Sequence, residues 1–158
     1  MNTSISQKNG TIVVGVDGSP ASAKALKWAT HYAESVGHHL KIITTWDAEY
    51  VAVAIAAFGG DAPDSDSIES RHMLAASLQT KSIADVYGDD ALPSWVSLEL
   101  IEGKASDALV RASEGAELLV VGTRGHGHIA DIVLGSVSTY CVLHAHCPVT
   151  VIRADSVL

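Results

Sequence analysis

The sequence has few cysteines, no cluster of basic residues and no long apolar run. Its longest uncharged apolar run, Val51 to Phe58, is far shorter than the roughly 20 residues that a membrane-spanning helix needs, so we expect no membrane span. The N-terminal stretch MNTSISQKNG lacks the apolar centre of a signal peptide. We therefore expect a cytoplasmic protein whose thiols stay reduced.

The lack of any run of lysine or arginine, with a formal net charge of -8, argues against a nucleic-acid partner, because binding to a nucleic-acid backbone depends on clustered basic side chains. An acidic protein can still bind a nucleotide through main-chain amides and one or two cations. Cys141 and Cys147 flank a predicted helix end, and we interpret them as small buried or half-buried thiols without a redox role.

The most informative stretch begins with the apolar run Leu118 to Val121, which is typical of a buried parallel strand. Gly122 ends this run, and the glycines that follow give the spacing Gly-x2-Gly-x9-Gly-Ser, which closes with Gly135 and Ser136. No Gly-Lys-Ser/Thr follows, so the stretch is not a Walker A loop, and Gly-His-Gly is only part of a Rossmann fingerprint.

Glycines at the end of a parallel strand let main-chain N–H groups approach a ligand closely. A helix beginning at Ser136 adds free first-turn N–H groups and the positive end of its dipole, and both favour a phosphate. The alternative is that the glycines only form turns and that Ser136 only caps the helix. If they form a ligand site, we expect Gly122→Val or Gly135→Val to abolish binding while the helices remain intact.

The apolar periodicity predicts one α/β domain over residues 11–154, after a mobile tail at residues 1–10. Strands are predicted at residues 11–16, 40–45, 96–101, 118–121 and 149–153. Helices are predicted at residues 20–36, 66–88, 105–112 and 136–144, with a long loop or short irregular helix at 47–66. The third strand alternates in polarity, which suits an edge strand with one less buried face. Strands that alternate with helices predict a doubly wound parallel sheet with helices on both faces.

The glycine spacing, the strand before it, the segment HAHCPVTVIR after it and the opening TIVVGVDGSP together resemble the universal stress protein family, in its ATP-binding type. The likeness runs to Arg153 and is weakest after Trp46. It implies a five-stranded parallel sheet of order 3-2-1-4-5, in which strands one and four are neighbours and their loops meet at the ligand-binding edge. It also implies ATP as the ligand, with Mg²⁺ held mainly by the phosphates.

The resemblance assigns each part of the nucleotide to residues of this chain. Gly15, Val16 and Thr45 lie beside the adenine, Asp17 contacts the ribose or base, and Val121 and Gly122 close the pocket. Gly125, Gly135, Ser136 and Val137 match the phosphate and ribose side. The nucleotide-binding set also includes Thr123, Arg124, His126, Gly127 and His128. Of these, Arg124, His126 and His128 fill variable positions of the motif, and their alternative role is that of solvated loop residues. Asp17 has an alternative role in stabilising the turn and helix start.

Two histidine segments, His126-x-His128 and His144-x-His146-Cys147, resemble metal-binding patterns, but no Cys-x-x-Cys accompanies them and we expect no metal site. No residue stands out as a catalytic base or Mg²⁺ ligand for hydrolysis. The leading interpretation is therefore an ATP-binding, nucleotide-responsive regulatory module of the stress response. The alternatives are a slow ATP hydrolase on the same site and a nucleotide-free dimerisation module. A homodimer is expected through the edge strand Val149 to Arg153.

Overall fold

The computed structural model describes residues 10–47, 68–123 and 134–155. In these ranges strands and helices alternate along the chain. The strands are β1 (Thr11–Gly15), β2 (His39–Trp46), β3 (Val96–Glu102), β4 (Leu118–Gly122) and β5 (Val149–Ile152). The helices are α1 (Pro20–Val36), α2 (Ile68–Tyr87), α3 (Ala105–Ala112) and α4 (Ser136–His144).

All strand pairs are parallel, and the strand order is β3-β2-β1-β4-β5. The predicted fold class and strand order are thus confirmed. The order reverses between β1 and β4, which pair through Val14 and Val120. In an open parallel sheet this reversal leaves a crevice beyond the carboxyl ends of the two strands.

The sheet buries both of its faces because successive side chains of each strand point in opposite directions. On one face Ile12 and Val14 pack against α1 through residues such as Leu26, in a cluster whose members are all nearly inaccessible to solvent. On the other face Val13 packs with Leu109 of α3. Each fully buried aliphatic side chain stabilises the fold by about 1.5–3 kcal/mol relative to exposure.

Helix α1 begins and ends on local signals that the sequence predicts. The hydroxyl oxygen of Ser19 accepts a hydrogen bond from the amide of Ser22 at 3.2 Å, and Pro20 is the first helical residue. Gly37 ends the helix with a φ of 67°, a left-handed conformation that glycine adopts without strain. The predicted bounds of α1 are confirmed.

Strand β3 is an edge strand, as predicted, and even its apolar side is only partly covered. Leu98, on that apolar side, is 42% exposed. The reason is the position of α2, which lies mainly over β2, where the ring of His72 meets Trp46 edge-on at 5.6 Å. Helix α2 therefore makes fewer contacts with β3, the outer strand, than with β2.

Other boundaries differ by one or two residues from the prediction. Strand β5 ends at Ile152, so Arg153 lies just beyond it, and β2 extends to Trp46. Apart from Gly10 and Asp47, the predicted N-terminal tail and the 47–66 loop lie outside the described residues. Within the described part of the chain, none of the helices has the length and apolar character required to span a membrane.

Candidate functional site

The loop after β1 is held by polar groups that also start α1. The carboxylate of Asp17 accepts a hydrogen bond from the amide of Ser19 at 2.9 Å, and the amide of Asp17 donates to the hydroxyl of Ser22 at 3.4 Å. Gly18 between them has a φ of 82°. Asp17 therefore fills the helix-start role that the sequence offers as one of two alternatives, and it does so at the carboxyl end of β1.

Gly15 and Val16, predicted to lie beside an adenine, both turn toward the protein interior. A Cβ atom on Gly15 would lie 2.8 Å from Cδ1 of Leu109. Val16 is only 4% exposed and belongs to the cluster that packs on α1. Any contact that these two residues make with a ligand comes from their main chain.

Strand β2 extends beyond the end of β1, and this extension contains Thr45, which is only 9% exposed. Gly15 pairs with Ile43, the amide of Val16 donates to the carbonyl of Ile43 at 2.9 Å, and β2 then continues to Trp46. Because the residues that face a given neighbouring strand alternate, the N–H and C=O of Thr45 face the same side as those of Ile43. The N–H and C=O of Thr45 therefore point toward the side of β2 on which β1 has already ended.

The junction of β4 and α4 is tied together at the carbonyl of Thr123. This carbonyl accepts a hydrogen bond from the amide of Gly135 at 2.6 Å, and the amide of Thr123 donates to Ile152 of β5 at 2.8 Å. The hydroxyl of Ser138 lies 3.0 Å from the carbonyl oxygens of both Thr123 and Gly135 and can donate to either. The first turn of α4 is thereby fixed against the end of β4.

Among the residues that the structure describes, no side chain caps the N-terminus of α4. Gly135 occupies the cap position with φ −64° and ψ 164°, and no side-chain cap hydrogen bond forms there. The alternative role of Ser136 as a cap is therefore wrong, because Ser136 is the first helical residue and its side chain is exposed. Val137 is half-buried against the cluster beneath α3 and α4. The serine that does bond back to Gly135 is Ser138, which the sequence analysis missed although a hydroxyl three residues after a cap is a recognised pattern.

Gly122 is required by the packing of the fold. A Cβ atom at this position would lie 2.8 Å from the carbonyl carbon of Ala21 and 3.0 Å from the amide nitrogen of Ser22, so α1 passes directly against it. Gly122→Val was expected to abolish ligand binding while the helices remain intact. This expectation must be revised, because the added side chain would collide with the backbone of α1. Val121, beside it, is 3% exposed and points into the core.

Five predicted site residues lie outside the described residues, and their roles stay predictions: Arg124, Gly125, His126, Gly127 and His128.

The two histidines of the second segment, His144 and His146, contact different residues. The ring of His144 lies 4.3 Å from that of Tyr140, whereas Nε2 of His146 lies 3.6 Å from a carboxylate oxygen of Glu114. The amide of His146 donates to the hydroxyl of Ser113 at 2.8 Å. In the ranges that the structure describes, no three His, Cys, Asp or Glu side chains are grouped to hold a metal ion.

The two cysteines are free thiols, Cys141 buried and Cys147 half-buried, as predicted. Burial raises the pKa of Cys141 to about 11. The pKa of Cys147 is also raised, first by burial and further by the charge of Glu117. Both thiols therefore resist conversion to the reactive thiolate at neutral pH.

Solved structures of universal stress proteins share the fold. The universal stress protein UspA from Lactobacillus plantarum matches with a TM-score of 0.66 at 20% identity, over 92% of this chain and 98% of that chain. A universal stress protein in complex with cAMP matches with a TM-score of 0.61 at 24% identity, over 92% and 98%. The universal stress protein from Archaeoglobus fulgidus in complex with dAMP matches with a TM-score of 0.60 at 20% identity, over 90% and 97%.

Sequence relatives point the same way. A universal stress protein of Mycobacterium tuberculosis is 32% identical over 160 residues, which cover 96% of this chain and 50% of the relative. One of Mycolicibacterium smegmatis is 30% identical over 152 residues, covering 91% of this chain and 48% of the relative. The chain thus spans about half the length of the curated relatives it matches. Since the model of the universal stress protein family matches residues 8–153, this chain belongs to the universal stress protein family.

Proposed function

We propose that this protein binds an adenine nucleotide at the crevice between β1 and β4, and that it acts as a nucleotide-responsive regulatory module in the cytoplasmic stress response. The proposed ligand is ATP, with Mg²⁺ held mainly by its phosphates. The observation that supports this most directly is the start of α4, next to the strand beside the crevice, where none of the described side chains caps the helix N-terminus.

The phosphate end of the nucleotide is proposed to lie at α4. The amides of its first turn have no acceptor within the helix, and the helix dipole favours an anion there by about 0.3–1 kcal/mol, or more when partly buried. Helix α1, which starts at the same edge, already has a side-chain cap in Ser19. The bond from Gly135 to Thr123 fixes the α4 amides in place before a ligand arrives, which reduces the entropic cost of binding.

The base is proposed to lie at the end of β2. The N–H and C=O of Thr45 offer one donor and one acceptor side by side, which suits the acceptor and amino group on the pairing edge of adenine. Asp17, at the neighbouring strand end, is proposed to contact the ribose. The two solved relatives in complex with cAMP and dAMP support an adenine nucleotide as the ligand class.

Hydrolysis is proposed to be slow or absent. The carboxylate of Asp17 already accepts the amide of Ser19, so it is engaged in positioning the loop. Turnover should fall well below the usual enzyme range of about 1–1000 per second. A sustained Mg²⁺-dependent turnover within that range, lost on mutation of one site residue, would favour the slow-hydrolase alternative instead.

We also propose a homodimer through β5. Because Ile152 directs its carbonyl toward Thr123 of β4, the alternation along the strand directs the N–H and C=O of Val149 and Val151 outward, at the free edge of the sheet. A second copy related by a two-fold axis would pair with this edge antiparallel.

Isothermal titration calorimetry with ATP and Mg²⁺ tests the proposed function, and native mass spectrometry of the purified protein tests ligand and subunit number together. Saturable binding of ATP is expected. Failure of the wild-type protein to bind ATP at millimolar concentration would overturn the proposal and leave the nucleotide-free dimerisation module as the better interpretation.

A further inference from the structure

Just beyond β5, an arginine and an aspartate form a two-point ion pair. Nε of Arg153 donates to Oδ1 of Asp155 at 3.0 Å, and Nη2 donates to Oδ2 at 2.7 Å. The side chains are 53% and 69% exposed. A guanidinium fork presented in this way matches the geometry of two phosphate oxygens as well as that of a carboxylate.

Arg153 directly follows the residue of β5 that is hydrogen-bonded to the junction of β4 and α4. The residue before Arg153, Ile152, pairs with Gly122, and its carbonyl accepts the amide of Thr123 at 2.8 Å. The carbonyl of Thr123 in turn accepts the amide of Gly135 at 2.6 Å. Arg153 is therefore one residue beyond the strand that flanks the start of α4.

A second cation from another element acts on the same carboxylate. The pKa of Asp155 is lowered, first by its hydrogen bonds from Arg153, and further by the charge of Lys24 in α1. The contact between Gly122 and Ala21 brings the first turns of α1 to this corner of the sheet. The negative charge of Asp155 therefore interacts with two cations, Arg153 just beyond β5 and Lys24 in α1.

We propose that Arg153 is a phosphate-binding residue of this site, and that the carboxylate of Asp155 holds its guanidinium until a phosphate group of the nucleotide replaces it. This inference rests on the proposed nucleotide site. The exchange costs little, because an exposed ion pair contributes little to the stability of the fold. The exchange is favourable for Arg153 because a phosphate chain carries more negative charge than one carboxylate and offers the same two-point geometry.

The test compares the affinities of four proteins for ATP with Mg²⁺ and for adenosine by calorimetry: wild type, Arg153→Gln, Asp155→Asn and Arg111→Gln. Arg111 is the matched control, because it is an exposed arginine in the last turn of α3, a helix that packs on β1 and β2 and not on β5. Its substitution removes the same charge from the whole protein. Thermal unfolding of each variant establishes that the fold is retained.

We expect Arg153→Gln to weaken ATP binding by about tenfold or more while leaving adenosine binding unchanged. Asp155→Asn should strengthen ATP binding by about two- to fivefold, since the competing carboxylate charge is gone. Arg111→Gln should change either affinity by less than about twofold.

Four results would overturn the inference. Equal losses in Arg153→Gln and Arg111→Gln would indicate a general charge effect, and equal losses for ATP and adenosine would indicate a structural role. Unchanged ATP affinity in Arg153→Gln, with normal binding by the wild type, would reject Arg153 while leaving the proposed function intact. A wild-type protein that binds no adenine nucleotide would reject both.

Discussion

A methyl group placed on Gly122 would lie 2.8 Å from the carbonyl carbon of Ala21, closer than side-chain carbons approach a backbone. Strand β4 and helix α1 therefore meet backbone against backbone at the edge of the candidate site. This contact fixes the distance between α1 and the sheet next to the loops that follow β1 and β4. The glycine that begins the sequence motif serves the fold before it serves any ligand.

Replacing Gly122 with alanine should lower the free energy of unfolding by about 1–3 kcal/mol, because the backbone of α1 must move. Gly15→Ala is the matched control. Its new methyl group would also meet an atom at 2.8 Å, but that atom is the end of the Leu109 side chain, which can rotate away. Urea denaturation measures both. A loss at Gly15 equal to or greater than that at Gly122 would contradict the packing argument.

Substitution of Ser136 with glutamate should abolish or strongly weaken ATP binding without harming the fold. A negative charge in the first turn favours the helix by about 0.3–1 kcal/mol but repels a phosphate. Ser106→Glu provides the control, since it adds the same charge to the first turn of α3, which follows the outer strand β3. Calorimetry should find normal ATP affinity in Ser106→Glu. The site assignment is wrong if the two variants bind ATP equally well.

Val151→Pro should convert the proposed dimer into monomers, because proline removes the outward-facing N–H at the middle of the β5 edge. Val151→Ala keeps that N–H and should remain dimeric. Light scattering at micromolar concentration distinguishes the two. A monomeric wild type, or a Val151→Pro variant that is still dimeric, would rule out pairing through β5.

The Cys141 thiol should make stability fall as the solution becomes alkaline. Its folded-state pKa of about 11 exceeds the value of about 8.5 for an unfolded chain, so between these values the unfolded protein loses a proton that the folded protein keeps. The contribution of this thiol is complete below about pH 8.5 and declines up to about pH 11. Urea denaturation across this range should give a steeper decline for wild type than for Cys141→Ala. Parallel declines would mean that the thiol ionises normally.

The elements that the sequence predicts well are those set by neighbouring residues. Ser19 and Pro20 define the start of α1, and Gly37 defines its end, because each acts within one turn of the helix. The apolar runs of β1 and β4 identify buried strands for the same local reason. The strand order came from the family resemblance, because periodicity in one strand does not specify its neighbour.

What the sequence does not predict depends on contacts between distant segments. The collision at Gly122 involves a helix about a hundred residues earlier, and nothing near Gly122 signals it. The bond of Ser138 to Thr123 depends on how α4 folds back on β4. The exposure of Leu98 follows from the position of α2 over β2. Such facts arise from packing and appear only in three dimensions.

The carbonyl of Thr123 closes the chain between β4 and α4 at its base, because it binds the amide of Gly135 directly. With both ends fixed there, the residues between them can be lengthened or exchanged at small cost, since doubling a loop adds only about 0.6 kcal/mol of closure entropy. The domain is therefore a suitable scaffold for grafting foreign segments between Thr123 and Gly135.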